Sequence, residues 1–137
     1  MMEAIAVNWM AIIAAAVASF IIGFAWYSPA LFGRQWMKLM GMKTMGKKGG
    51  MMKGMVLEFA GALVLSYVLF HFLRYAGAVT WMDGVVGGFW AWLGFFATTG
   101  LSMVAWENKP WSLYFIKAGH MLVALVVMGA IVAGWGY

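Results

Sequence analysis

Four long apolar runs, separated by short polar or charged breaks, dominate the chain and predict membrane spans at 5–28, 54–76, 84–105 and 112–135. A helix needs roughly 20 apolar residues to cross a hydrocarbon core about 30 Å thick, and each run is long enough. The first run exceeds the roughly 7–15-residue core of a secretory signal and is headed by Glu3 instead of a lysine cluster, so it is expected to be retained. Pro29 should close it after Trp26, Tyr27 and Ser28, because proline disfavours helical geometry in the residue before it. Between the first two runs, residues 34–45 intersperse Trp36, Met37, Leu39 and Met40 with Arg34, Lys38 and Lys43, which predicts a short amphipathic helix lying on a membrane surface. Lys47, Lys48, Gly49 and Gly50 then read as a turn. The connections at 75–83 and 107–111 are short, which makes sequential helices antiparallel neighbours. The predicted fold is all-α: one integral membrane domain, residues 1–137, built as a four-transmembrane-helix antiparallel bundle with a basic, Met-rich cytoplasmic loop.

Composition confirms the solvent and charge sets the orientation. The 137 residues are 66% hydrophobic and 9% charged, against about 25% charged in soluble domains. Arg34, Lys38, Lys43, Lys47, Lys48 and Lys53 crowd the first connection, Lys109 and Lys117 bracket the third, and Arg74 alone lies elsewhere. Excess Lys and Arg in short loops stay on the cytoplasmic side, so both termini should lie outside. Aromatic residues repeat the pattern at two levels: Trp26, Tyr27, Trp36, Trp106, Trp111 and Tyr114 inside, and Trp9, Tyr75, Trp81, Trp135 and Tyr137 outside. Trp90 and Trp92 fall within the third span and need partners for their indole N–H groups. A net charge of +5 beside membrane spans points to anionic lipid headgroups at the basic loop and away from nucleic acid.

Helices in lipid associate through small residues and polar contacts. Three ridges are candidates: Ala11, Ala15, Ser19 and Gly23 in the first span; Gly54, Glu58, Ala62 and Ser66 in the second; and Gly84, Gly88, Ala91, Phe95, Thr98 and Ser102 in the third.

Ionisable groups inside spans are the default functional candidates. Glu58 and Lys117 should lie at similar depth near the inner ends of their spans, with His120 one turn beyond Lys117. An ion pair between Glu58 and Lys117, with Glu107, His120, Thr98 and Ser102 nearby, would make a polar cluster at a cytoplasmic mouth. A snorkelling lysine and a locking contact explain the same residues. Asn8, His71, Arg74 and Asp83 form a second polar group near the outer side. His71 and His120 would differ in depth by about 15 Å at 1.5 Å rise per residue, too far to share one haem iron. Methionine gathers at Met37, Met40, Met42, Met45, Met51, Met52 and Met55. Thioethers suit Cu(I), making Met40, Met42 and Met45 a minor metal candidate, although the surrounding lysines repel a cation and methionine also serves as an apolar anchor. No Cys is present, and no nucleophile with its base, paired carboxylates or phosphate-cradling loop stands out, so neither enzymatic activity nor a cofactor is expected.

Trp26-Tyr27-Ser28-Pro29 with Leu31-Phe32-Gly33 and Trp36, Trp92-Leu93-Gly94-Phe95 with Ala97-Thr98-Thr99, Trp106-Glu107 with Pro110, Ala118-Gly119 and Met128-Gly129-Ala130-Ile131 resemble the small bacterial membrane proteins grouped as domain of unknown function 1761. The resemblance implies four membrane helices in a bacterial cytoplasmic (inner) membrane and no assigned activity. Asn, Tyr and His are expected around Gly119 in such proteins, where this chain has Lys117, His120 and Met121. The reading is a non-enzymatic membrane protein that packs through small-residue faces as a homo-oligomer or as a subunit of a complex. A small oligomeric transporter or channel is the alternative, and a Cu(I)-binding membrane protein a minor one.

Overall fold

The computed structural model describes residues 5–41 and 48–135, and among these every regular element is helical. Four stretches are long and apolar enough to cross a membrane: Trp9–Trp26, Met51–Tyr75, Trp81–Ala105 and Trp111–Gly134. The four predicted runs therefore become four helical spans. Their ends differ from the hydrophobic boundaries because caps, not hydropathy, start and stop helices. Helix α1 (Trp9–Trp26) begins four residues into its apolar run, where the Asn8 side chain accepts a hydrogen bond from the Ala11 N–H at 3.1 Å. Helix α3 spans Lys48–Tyr75. Helix α4 (Trp81–Ala91) starts before the predicted residue 84, at a capping box. The Thr80 hydroxyl accepts from the Asp83 N–H, and the Asp83 carboxylate accepts from Val79 N and Thr80 N, all at 3.1 Å. Helix α6 covers Trp111–Gly134 behind Pro110.

Within the segment 34–45 a short helix is present as α2 (Gly33–Met40), which ends where Gly41 takes φ 72°. Met42 and Met45 lie outside the described residues. A compact turn joins α1 to α2: Phe32 N donates to Trp26 O at 3.0 Å and Gly33 N to Ser28 O at 2.9 Å. A Cβ on Gly33 would collide with the backbone of Tyr27 and Ser28, so the turn requires glycine.

Helix α6 touches every other helical segment. Against α4 the approach is backbone to backbone: a Cβ on Gly84 would strike the Gly129 carbonyl, one on Gly129 would strike that of Gly84, and one on Gly88 would strike that of Leu125. Farther along, Trp92 Nε1 donates to Ala118 O at 2.8 Å and Tyr114 Oη to Ala97 O at 2.6 Å. Against α1, Trp26 Nε1 donates to Ile116 O at 2.9 Å. A carbonyl oxygen has two lone pairs, so these mid-helix carbonyls can accept an indole as well as a helical N–H. Helix α3 joins through fully buried Ser66, whose hydroxyl donates to Ile12 O at 2.8 Å. The apolar core, Ile12, Ala15, Leu69, Phe70, Leu73, Leu125, Met128, Val132 and Ala133, fills the half of the bundle that contains the α1 N-terminus.

Two expected ridges change course. On α3, Ala62 and Ser66 are buried but Gly54 and Glu58 are exposed. Steps of four residues advance about 40° around a helix of 3.6 residues per turn, so the row winds off the contact by its far end. The third span is not one α-helix. After α4 come a π-helical segment at Trp92–Ala97, a 3₁₀ turn at Thr99–Leu101 and the short α5 at Ser102–Ala105. The Thr98 hydroxyl takes the Gly94 carbonyl and the Thr99 hydroxyl the Phe95 carbonyl, both at 2.6 Å, which competes with regular helix bonding. Wider π turns delay the inward face. The expected Phe95, Thr98 and Ser102 are exposed, while Ala97 is buried and Phe96, Gly100 and Met103 are partly covered.

Candidate functional site

The end of the bundle opposite the core is aromatic and polar. Here α1, α2 and α6 converge on Tyr27. Its ring lies 5.3 Å from that of Trp36, packed edge-on, and 5.3 Å from that of His120. Trp26 stands beside them, 4.8 Å from Phe32 and 6.3 Å from His120. Glycines make the room: a Cβ on Gly23 would sit 3.1 Å from His120 Nε2, and one on Gly119 3.0 Å from Trp26 Cζ2. Trp36 Nε1 and His120 Nε2 are buried with no hydrogen-bond partner among the described residues. The Glu58 carboxylate, although exposed, acts electrostatically on both Tyr27 and His120. Tyr27 lies just past the end of the first span; burial, reinforced by Glu58, pushes its phenol up to about 12. It is therefore a neutral hydroxyl at physiological pH.

A second feature adjoins this one on the other side of α6. A groove of about 220 Å³ runs along the irregular part of the third span, lined by Phe96, Thr99, Gly100, Met103, Tyr114, Lys117, Ala118 and Met121. Lys117 and His120 therefore serve different neighbours, Lys117 the third span and His120 the first. At i, i+3 they stand about 60° apart around α6, enough to separate them.

The inner cluster envisaged from the sequence is accordingly divided. Glu58 is exposed on α3, and no ion pair joins it to Lys117 among the described residues. Thr98 and Ser102 are exposed, and both hydroxyls donate to carbonyls of their own span, Ser102 Oγ to Thr99 O at 3.2 Å. Glu107 is exposed in the connection before α6. The outer group resolves into local structure: Asn8 and Asp83 are caps, His71 Nδ1 donates to Tyr67 O at 2.8 Å, and Arg74 lies 5.1 Å above the Phe70 ring. Met40 is exposed on α2. No group of three His, Cys, Asp or Glu that could hold a metal occurs among the described residues. Of the two tryptophans within the third span, Trp92 is bonded to α6, while Trp90 is 63% exposed.

Sequence reasoning did not foresee Tyr27 set between Trp36 and His120, nor the groove. The signal for the first was the Tyr27-to-Gly33 turn with its obligate glycine. The signal for the second was the pair of adjacent threonines in a span already weakened by Gly94 and Gly100.

Four helices long and apolar enough to cross a membrane, with interior polar groups tied to neighbouring backbones, have the make-up of a multi-pass helical membrane protein. The chain belongs to the family described as protein of unknown function (DUF1761), which matches residues 10–133. Comparisons with curated proteins and with solved structures returned no match. The motifs that carry the family resemblance lie where helices meet: the Tyr27–Gly33 turn, Trp92 on Ala118, Gly119 under Trp26, and Gly129 on Gly84.

Proposed function

We propose that this protein is a non-enzymatic integral membrane protein that works by association within the membrane plane, as a homo-oligomer or as a subunit of a larger complex. One observation carries the reading. Helix α3 leaves a face open on which Gly54, Leu57, Glu58, Gly61 and Val64 are all exposed, with no other helix among the described residues within 4 Å of a Cβ on either glycine. Small residues let a second helix approach closely, and an in-membrane carboxylate is expensive to leave to lipid. The small-residue ridges expected to make helix contacts on α1 and α4 are used inside the protomer.

Antiparallel packing is supported by the contact order, in which Trp81, Gly88 and Trp92 meet Gly134, Leu125 and Ala118. Lysine and arginine placement supports cytoplasmic first and third connections, with both termini outside. The transport alternative draws less support, because Glu58, Lys117, His120, Thr98 and Ser102 do not converge within one chain.

The test is subunit counting by single-molecule photobleaching in vesicles, for the native chain and for Gly61→Leu and Glu58→Gln. Multiple bleaching steps are expected for the native chain and fewer for both variants, with protomer melting unchanged. A native chain that bleaches in one step would remove self-association. Co-purification of a stoichiometric membrane partner, lost in Gly61→Leu, would then be required for the reading to stand.

A further inference from the structure

The groove beside the irregular part of the third span has a chemistry that neither the packing of the bundle nor the family assignment uses. Its walls are apolar at Phe96, Met103 and Met121, and Lys117 is the one charged residue lining it among the described residues. The other polar groups are already committed: Tyr114 Oη donates to Ala97 O and Thr99 Oγ1 to Phe95 O. No ion pair joins Lys117 to an acidic group among the described residues. Lys117 lies six residues beyond Trp111, which is exposed at the end of its span, and so about 9 Å along the helix from the interface at 1.5 Å per residue. At that depth an ammonium is costly without an anion, yet its four-carbon stem still reaches headgroup level.

We infer that the groove holds one anionic phospholipid, its phosphate on the Lys117 ammonium and the upper part of an acyl chain against Phe96, Met103 and Met121. Complementary charge selects the headgroup. The volume selects a part of a larger molecule, since about 220 Å³ is below the roughly 300–1,000 Å³ of sites that enclose a whole small ligand. A small hydrated anion would gain nothing from walls of phenylalanine and methionine, whereas an acyl chain would. The π turn and the glycine at position 100 create the space: a Cβ there would sit 3.3 Å from Tyr114 Cε2, and a larger side chain would fill the floor.

Native mass spectrometry of the intact protein in detergent, titrated separately with phosphatidylglycerol and with phosphatidylcholine of the same acyl chains, tests this. One phosphatidylglycerol should be retained in preference to phosphatidylcholine. Lys117→Met should weaken phosphatidylglycerol by about tenfold or more, the size of a lost charge-assisted contact, and bring it to the level of phosphatidylcholine. Lys117→Arg should stay within about threefold, because a guanidinium also pairs with phosphate. Lys109→Met, which removes a charge that does not line the groove, should leave retention unchanged. If Lys117→Met fails to fold, Lys117→Gln decides in its place, and melting of each variant is recorded alongside. Equal retention of the two lipids, undiminished retention by the uncharged variants, or displacement of the lipid by inorganic phosphate would each overturn the assignment.

Discussion

Ser66 shows how a single hydroxyl can join two helices where no water is available. It is fully buried, and its bond to Ile12 O ties α3 to α1. Ser66→Ala should lower stability by about 1 kcal/mol, the usual net value of such a bond, read as an earlier midpoint in reversible detergent-induced unfolding. The sequence placed Ser66 correctly on a small-residue row. It could not place Glu58, eight residues before it on the same row, because the row's drift around the helix is invisible in a list of every fourth residue. Caps were legible in residue type but not in meaning. Asn8 and Asp83 are polar residues at span ends, and only the backbone geometry shows that they terminate helices instead of forming a site.

At the scale of elements, the contact between α4 and α6 depends on two glycines facing each other. Gly129→Ala would push a methyl into the Gly84 carbonyl, and the overpacking should cost about 1–3 kcal/mol. Gly61→Ala, on the open face of α3, should leave the protomer's melting temperature unchanged or raised, since alanine is the better helix former. Thermal unfolding of the two variants side by side checks both. The number of spans was evident from hydropathy, and the Gly84–Gly88 spacing announced the contact. The π segment was not evident, because hydropathy is averaged over windows longer than one wide turn. One residue more than an α-helix needs lies between Trp92 and Ala97. Deleting Gly94, which is exposed with nothing near its Cβ position, should therefore restore regular helix while keeping Phe96, Gly100 and Met103 toward α6. A folded deletion variant that melts within a few degrees of the native chain is the expected result.

For the whole molecule, the rings assigned to the two aromatic levels divide: Trp106, Trp111, Trp9, Trp81 and Trp135 are each at least half exposed, whereas Tyr114 is buried and Trp26, Tyr27 and Trp36 are half-buried between helices. Orientation is open to direct measurement: reporter fusions after Lys48 and after Tyr137 should report opposite sides of the membrane, and reporters on the same side would refute the assignment. What the chain could not disclose was which helix holds the others. Hydropathy treats the four spans alike, whereas the contacts make α6 the common partner of α1, α2, α3 and the third span. That arrangement has a consequence for biogenesis. Synthesis runs from the amino end, so α1 and α3 can meet through Ser66 and Ile12 before α6 is made. The Gly84 face and the Trp26 and Trp92 indoles, whose partners all lie on α6, can engage only after it arrives.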